Sequence, residues 1–474
     1  MGGLCFVYSF CEVYNSDYFY YMSYPMKKIL FVLLLLPLFG RGQIITTIAG
    51  NGASGSTGDG GPATAAEISI PGSGAFDMNG NYYFSQRYNN IVSKVTPSGI
   101  ISVAAGNGTA GYSGDNGPAT AAGLNNPQGI AIDLSGNLYI ADINNSVIRK
   151  VVLSTGGIST YAGNGTATEN GDGGPAISAG IFGPLFVCVD AAGNLYISDD
   201  DNRIRKVNVA KGVITTVAGK GGAVGFSGDN GAADSAQLHG PTGICTDTLG
   251  NLFIADYYND RIRKVNVATG IITTIAGGSS GTYNGEGLID TAARLNPSYV
   301  CFDVYGNLYV ADEGNNRVRR IDTTGHIYTI AGNGSGAYNG DNIAATAAEI
   351  FHPIGIAFDP CGNLYIADED NNRIRKVIFN PTCSPEEVNN IAITNNFTIF
   401  PNPATTQLTI QSTAQPITQI TITNLLGQTV YSQLPTAIPI AIGSQLLTVD
   451  VSALPTGMYF VKVNDTEVRQ FLKE

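Results

Sequence analysis

The segment GNLYIAD, or a close variant, occurs six times, with its glycine at Gly80, Gly136, Gly193, Gly250, Gly306 and Gly362. The spacings are 56, 57, 57, 56 and 56 residues. So regular a period means that each copy is one supersecondary unit, whose apolar surface is buried only against its neighbours. Each unit contains four short β-type segments. In the second they are GIAID (Gly129–Asp133), NLYIAD (Asn137–Asp142), VIRKV (Val147–Val151) and ISTYAG (Ile158–Gly163). DxxGN between the first two and DxxNN between the next two are turn signals. Short strands with turns at regular intervals predict an all-β fold. Four strands per unit and six units predict a six-bladed β-propeller. In RIRKV the apolar residues stand three apart, as in Ile204 and Val207, where a plain strand alternates. This predicts a bulge in the third strand.

The last unit stops after its third strand, at Val377, while Ile44–Gly50 reads as a fourth strand with no unit before it. The N-terminal strand is therefore expected to complete the sixth blade and close the ring, removing exposed sheet edges. Ahead of it, residues 26–42 have two lysines, an apolar run from Ile29 to Phe39 and small residues, the layout of a signal peptide. Residues 1–25 are rich in Tyr and Phe and read as an over-extended start. Cleavage after Gly42 would make Gln43 the first mature residue, with no transmembrane segment in the mature chain.

The quoted repeat, with its TIAGNG, GDGGPAT, GNLYIAD and NNRIRKV elements, resembles the long bacterial form of the NHL-repeat family across roughly residues 43–380. The resemblance implies a six-bladed propeller but no single function, because such propellers bind proteins, glycans or RNA and a few are lyases. After a linker-like stretch, 380–396, the chain continues with FTIFPNPATTQLTIQS, ITITNLLGQTVYSQ and LTVDVSALPTGMYFVKV. Its alternating strands predict a small Ig-like β-sandwich over 397–474. Its motifs resemble the C-terminal sorting domain of the Bacteroidetes type IX secretion system, which implies that machinery as a partner and a secreted or cell-surface location. The propeller, 43–379, is then where function is expected.

Composition narrows the partners. The formal net charge is −12 and the pI about 4.7, which argues against a nucleic-acid surface. Fourteen of the 25 Lys/Arg lie in the five RIRKV-type copies, spread evenly around the ring. Asp199, Asp256, Asp312 and Asp368 are at hand to pair with them. The long loops before each first strand share a face with the DxxNN turns, and loops on a rigid scaffold are where binding resides. Each carries an acid at one place: Asp59, Asp115, Asp172, Asp229, Glu286 and Asp341. Six carboxylates so placed read as a ring for a cation or a basic partner, or as Asx-type turns. Three residues earlier stand Tyr112, Phe226, Tyr283 and Tyr338, read as platforms for sugar or peptide or as pins for the loops.

No catalytic residue and no cofactor is assigned; a structural or channel metal stays open. His239 and His352, just before first strands, are the sole hint of the channel metal that NHL-type lyases hold, and they stand at different offsets. Cys188, Cys245 and Cys301 share a position that is Ala75, Ala131 and Ala357 in the other units, a place for a small buried group. Cys361 and Cys383 fall on one face and read as a disulfide fastening the last blade. The expected function is an exported, non-catalytic protein- or glycan-binding or scaffold module. The alternative is a metal-dependent lyase or hydrolase with its site in the channel.

Overall fold

The structure is a computed structural model that describes residues 43–278, 282–379, 397–401, 404–412, 417, 419–424, 429–433, 445–455, 457–463 and 467–473. The expected leader segments, 1–25 and 26–42, and the linker lie outside the described residues. Among the described residues there is no α-helix; the elements are β-strands and single 3₁₀ turns.

Each repeat folds into an antiparallel sheet in chain order, as with Pro127–Ile132, Asn137–Asp142, Val147–Val152 and Gly157–Ala162. The turn between the first two strands is set by its aspartate. Asp133 accepts from the backbone N–H groups of Ser135 and Asn137, and from the Asn137 amide at 2.7 Å, while Gly136 takes a φ of +75°. The same pattern recurs at Asp77, Asp190, Asp247 and Asp303.

The second strand is buried on both faces: in Leu364–Asp368 every residue is buried. This accounts for the third strand too. Ile204 and Val207 are buried, but so is Arg205. The bulge expected in the third strand lies in the fourth instead. The third strand keeps unbroken register with the second, and the irregularity falls in the fourth, where Ile204 pairs with Ala218 and Arg205 with Thr216, skipping Val217. A buried arginine, not an extra residue, separates the two apolar positions.

In the last repeat, Arg373–Ile378 pairs antiparallel with the N-terminal strand Ile44–Ala49, placing Ile45 opposite Val377. The first strand of each repeat contacts that of the next, and Pro353–Phe358 contacts Pro71–Phe76. The long loops cover the outer edges. Residues Gly231–Ala232, Leu288–Ile289 and Ile343–Ala344 pair with fourth strands, and single bridges such as Pro118 to Gly157 do so elsewhere. The arrangement is consistent with a propeller followed by a β C-terminal domain. In that domain a three-stranded sheet (Phe397–Phe400, Gln407–Ser412, Gln445–Asp450) and a four-stranded sheet (Thr429–Gln433, Ile420–Asn424, Gly457–Val463, Glu467–Lys473) supply one core. Leu408 and Val449 come from the first; Ile422 and Val461 come from the second.

Candidate functional site on the loop-bearing face

The long loops are held by buried guanidinium groups. Arg149, Arg205, Arg263, Arg319 and Arg375 have no exposed surface. A buried charge is tolerated only when paired and hydrogen-bonded. Arg263 lies 3.2 Å from Asp256, at the end of the second strand, and 2.8 Å from Asp229 in the loop, and donates to the carbonyls of Gln237 and Ser227. Arg149 joins Asp142 at 3.6 Å to Asp115 at 2.7 Å, and Arg375 joins Asp368 at 3.4 Å to Asp341 at 3.1 Å. Asparagines of the second-to-third turns tie down the same loops: Asn145, Asn259 and Asn371 donate to the carbonyls of Gly111, Gly225 and Ala337.

This fixes what the loop acids do. Asp115, Asp172, Asp229, Glu286 and Asp341 each face a buried arginine, with Glu286 the farthest at 3.9 Å from Arg319. Burial pushes the Asp115 carboxyl up, but bonds from Thr160, the Arg149 charge and Tyr112 outweigh it and leave it below the usual range. Asp172 and Glu286 are lowered in the same way, burial again being outweighed, by Thr216 with Arg205 and by Thr329 with Tyr283. Asp59 differs, having no hydrogen bond or ion pair among the described residues. In its repeat the buried pair is replaced by neutral groups, Gln86 donating to Ser93 at 2.7 Å.

The four loop aromatics meet the same arginines. Phe226, Tyr283 and Tyr338 each lie under two guanidinium groups: Arg261 and Arg263, Arg317 and Arg319, Arg373 and Arg375. The nearer of each pair is 3.7, 3.9 and 3.7 Å from the ring centre. Tyr112 has Arg149 alone, at 5.0 Å. The hydroxyls of Tyr112, Tyr283 and Tyr338 bond Asp115, Glu286 and Asp341. In the third repeat Glu169 takes the aromatic's place and pairs with Arg203 and Arg205.

A second group of residues was missed by the sequence reading. The position immediately after the second strand is Arg87, Ile143, Asp200, Tyr257, Glu313 and Glu369 in successive repeats. Arg87 pairs with Glu369 at 2.9 Å across two repeats, and Tyr257 donates to Glu313 at 3.3 Å. Burial pushes the Glu369 carboxyl up to about 7 against the pull of Arg87, with Glu313 and Asp370 adding to the rise. Burial also raises Glu313, while His352 and Tyr257 pull it down. One residue further on, Tyr88 and Tyr258 are 71% and 65% exposed. The available signal was a position of changing charge between nearly constant neighbours in a repeat.

His352, one residue before Pro353, lies 2.7 Å from Asp370; His239, two before Pro241, packs on the Tyr258 ring. No three His, Cys, Asp or Glu side chains are grouped as a metal site among the described residues. Cys188, Cys245 and Cys301 are free, and burial raises all three thiols. Cys361 is disulfide-bonded; Cys383 lies outside the described residues.

Residues 398–473 match the secretion system C-terminal sorting domain. The chain is thus exported through the type IX secretion system to the cell surface or extracellular space. The repeats have NHL-repeat homologues. Human NHL repeat-containing protein 2 is 28% identical over 283 residues, 52% of this chain and 38% of that protein. The chain spans well under half the length of the curated relatives it matches first. A structural genomics protein of unknown function from Bacteroides thetaiotaomicron VPI-5482 superposes with a TM-score of 0.54 at 18% identity, covering 70% of this chain and 75% of that one. An auxiliary nutrient binding protein from Bacteroides ovatus ATCC 8483 gives 0.52 at 18% identity, covering 71% and 76%. These likenesses are of fold alone.

Proposed function

We propose that residues 43–379 are a six-bladed β-propeller, closed by the N-terminal strand, which acts outside the cell as a non-catalytic binding module for a protein or glycan. Residues 397–474 form the Ig-like sorting domain that delivers it. The cyclic contacts among first strands and the pairing of Ile44–Ala49 with Arg373–Ile378 support closure. The observation that carries the binding reading is the pair of exposed rings, Tyr88 and Tyr258, on turns that arginine and asparagine clamps hold in place. Aromatic groups on a rigid frame bind at low entropic cost. The test is a glycan array and a protein-interaction screen with the full chain. Tyr88→Ala and Tyr258→Ala should keep the melting temperature and weaken the ligand found by at least tenfold. Unchanged affinity in both variants would move the binding surface elsewhere.

A second reading has one observation behind it. Glu369, with a carboxyl that titrates near neutrality, sits with Glu313, Arg87, Asp370 and His352, and perturbed groups of this kind also mark catalytic sites. Elemental analysis of the dialysed protein separates the two readings. Stoichiometric zinc or calcium, lost in His239→Ala or His352→Ala, would favour a metal-dependent lyase or hydrolase.

A further inference from the structure

In four repeats the third strand opens with an arginine: Arg203, Arg261, Arg317 and Arg373. Three of these guanidinium groups do the same work. Arg261 covers the Phe226 ring and donates to the carbonyls of Asn259 and Gly278. Arg317 covers Tyr283 and donates to Asn315 and Asn333; Arg373 covers Tyr338 and donates to Asn371 and Asn51. The fork runs from turn to loop over an aromatic floor.

The second repeat keeps the floor and lacks the arginine, since Val147 stands in its place. A side chain on the glycine beside this slot would strike the guanidinium at Gly52, Gly221 and Gly334, whereas at Gly165 its nearest neighbour would be the Asn145 carbonyl, 3.9 Å away. Beside Gly165 opens a groove of about 530 Å³ whose lining includes Tyr112, Asp115, Ser159, Thr160, Asn164 and Ile177. Tyr112 is 55% exposed there, its hydroxyl fixed 2.7 Å from Thr160 and 3.0 Å from Asp115. By position in the repeat, Asn145 and Asn164 correspond to Asn259 and Gly278, whose carbonyls accept from Arg261 in the fourth repeat.

We propose that this groove is a docking slot for an arginine side chain supplied by a partner protein. The proposal rests on the binding reading above and adds the chemistry of the partner. The aromatic floor accepts a flat cation, the two carbonyls match the fork of a guanidinium, and the net charge of −12 attracts one. An ammonium group has no such fork, so lysine is discriminated against.

The experiment is saturation-transfer NMR with N-acetyl-arginine methylamide on the full chain, beside the lysine counterpart. Transfer to the arginine δ-methylene is expected, at least tenfold weaker for lysine. Val147→Arg fills the slot with the residue four repeats use, so it should fold, as circular dichroism would check, and cut the signal at least tenfold. Tyr112→Ala should weaken it similarly, and Tyr305→Ala, an exposed ring with no part in either group, should leave it intact. No transfer to the unaltered protein, or transfer that survives Val147→Arg, overturns the slot without touching the binding role of Tyr88 and Tyr258. Equal loss in Tyr305→Ala would mark the transfer as non-specific stacking and also overturn it.

Discussion

An arginine with no exposed surface is tolerated because each buried guanidinium here meets carboxylates and loop carbonyls together. Removing one partner strands the other charge. Arg263→Ala should therefore cost about 3–5 kcal/mol, because Asp256 stays buried without its charged partner. Arg261→Ala, which loses a part-buried stack on Phe226, should cost about 1 kcal/mol. Urea unfolding of the two variants checks the ranking; equal costs would mean that the buried pair is not what holds the loop. Glu369 gives a pH prediction. Its folded carboxyl is raised to about 7, so its contribution to stability is complete below its unfolded value and is lost as pH rises through about 7. Melting temperature should fall from pH 5 to pH 8 more steeply in the unaltered protein than in Glu369→Gln. Parallel curves would refute the assignment.

At the scale of the element, the loops behave as part of the sheets. The Asn342 amide donates to Ile45 of the N-terminal strand and the Ala345 amide to Gln43 just before it, and the Tyr338 hydroxyl anchors the same loop through Asp341. Tyr338→Ala should loosen this segment by about 1–1.5 kcal/mol, seen as roughly tenfold faster exchange at Asn342 and Ala345. Exchange in Leu364–Asp368 should not change, since that strand is buried between its neighbours. If the whole sheet speeds up together, loop and sheet are one cooperative unit. The skipped residue in each fourth strand belongs to this scale as well. It lets the third strand keep both its arginine and its isoleucine buried while the loop that follows turns away.

At the scale of the molecule, the two ends of the repeat region share one sheet. Ile45 is fully buried opposite Val377. Ile45→Ala should cost about 2–5 kcal/mol, although its strand partner Val377 lies more than 300 residues away in the chain. Deleting residues 43–49 should do more, by baring the edge of Arg373–Ile378 and inviting self-association. Light scattering and a melting curve on the truncated chain test this. A truncated chain that stays monomeric with an unchanged melting temperature would mean that the N-terminal strand does not complete the last sheet.

The repeat period, the order of strands, the aspartate turns and the sorting tail were legible in the sequence because each depends on local spacing or a short motif. So was the pairing of third-strand arginines with Asp256, Asp312 and Asp368. Their full burial was not: Ile204 and Val207 look like a broken alternation until the sheet is seen to be buried on both faces, and the loop carboxylate that also meets the arginine arrives from more than 30 residues away. The loop acids and aromatics were found at the right positions, but whether a carboxylate is open to a ligand or spent on an arginine depends on what the next strand presents. Arg87, Glu313 and Glu369 were invisible as a group, because nothing local in the sequence links Arg87 to Glu369, 282 residues on, with which it pairs. The sequence by itself determined the unit and its number of copies, through periodicity. Only the tertiary structure decided which charges are buried and which ring is left uncovered, because burial belongs to what surrounds a residue and not to the residue.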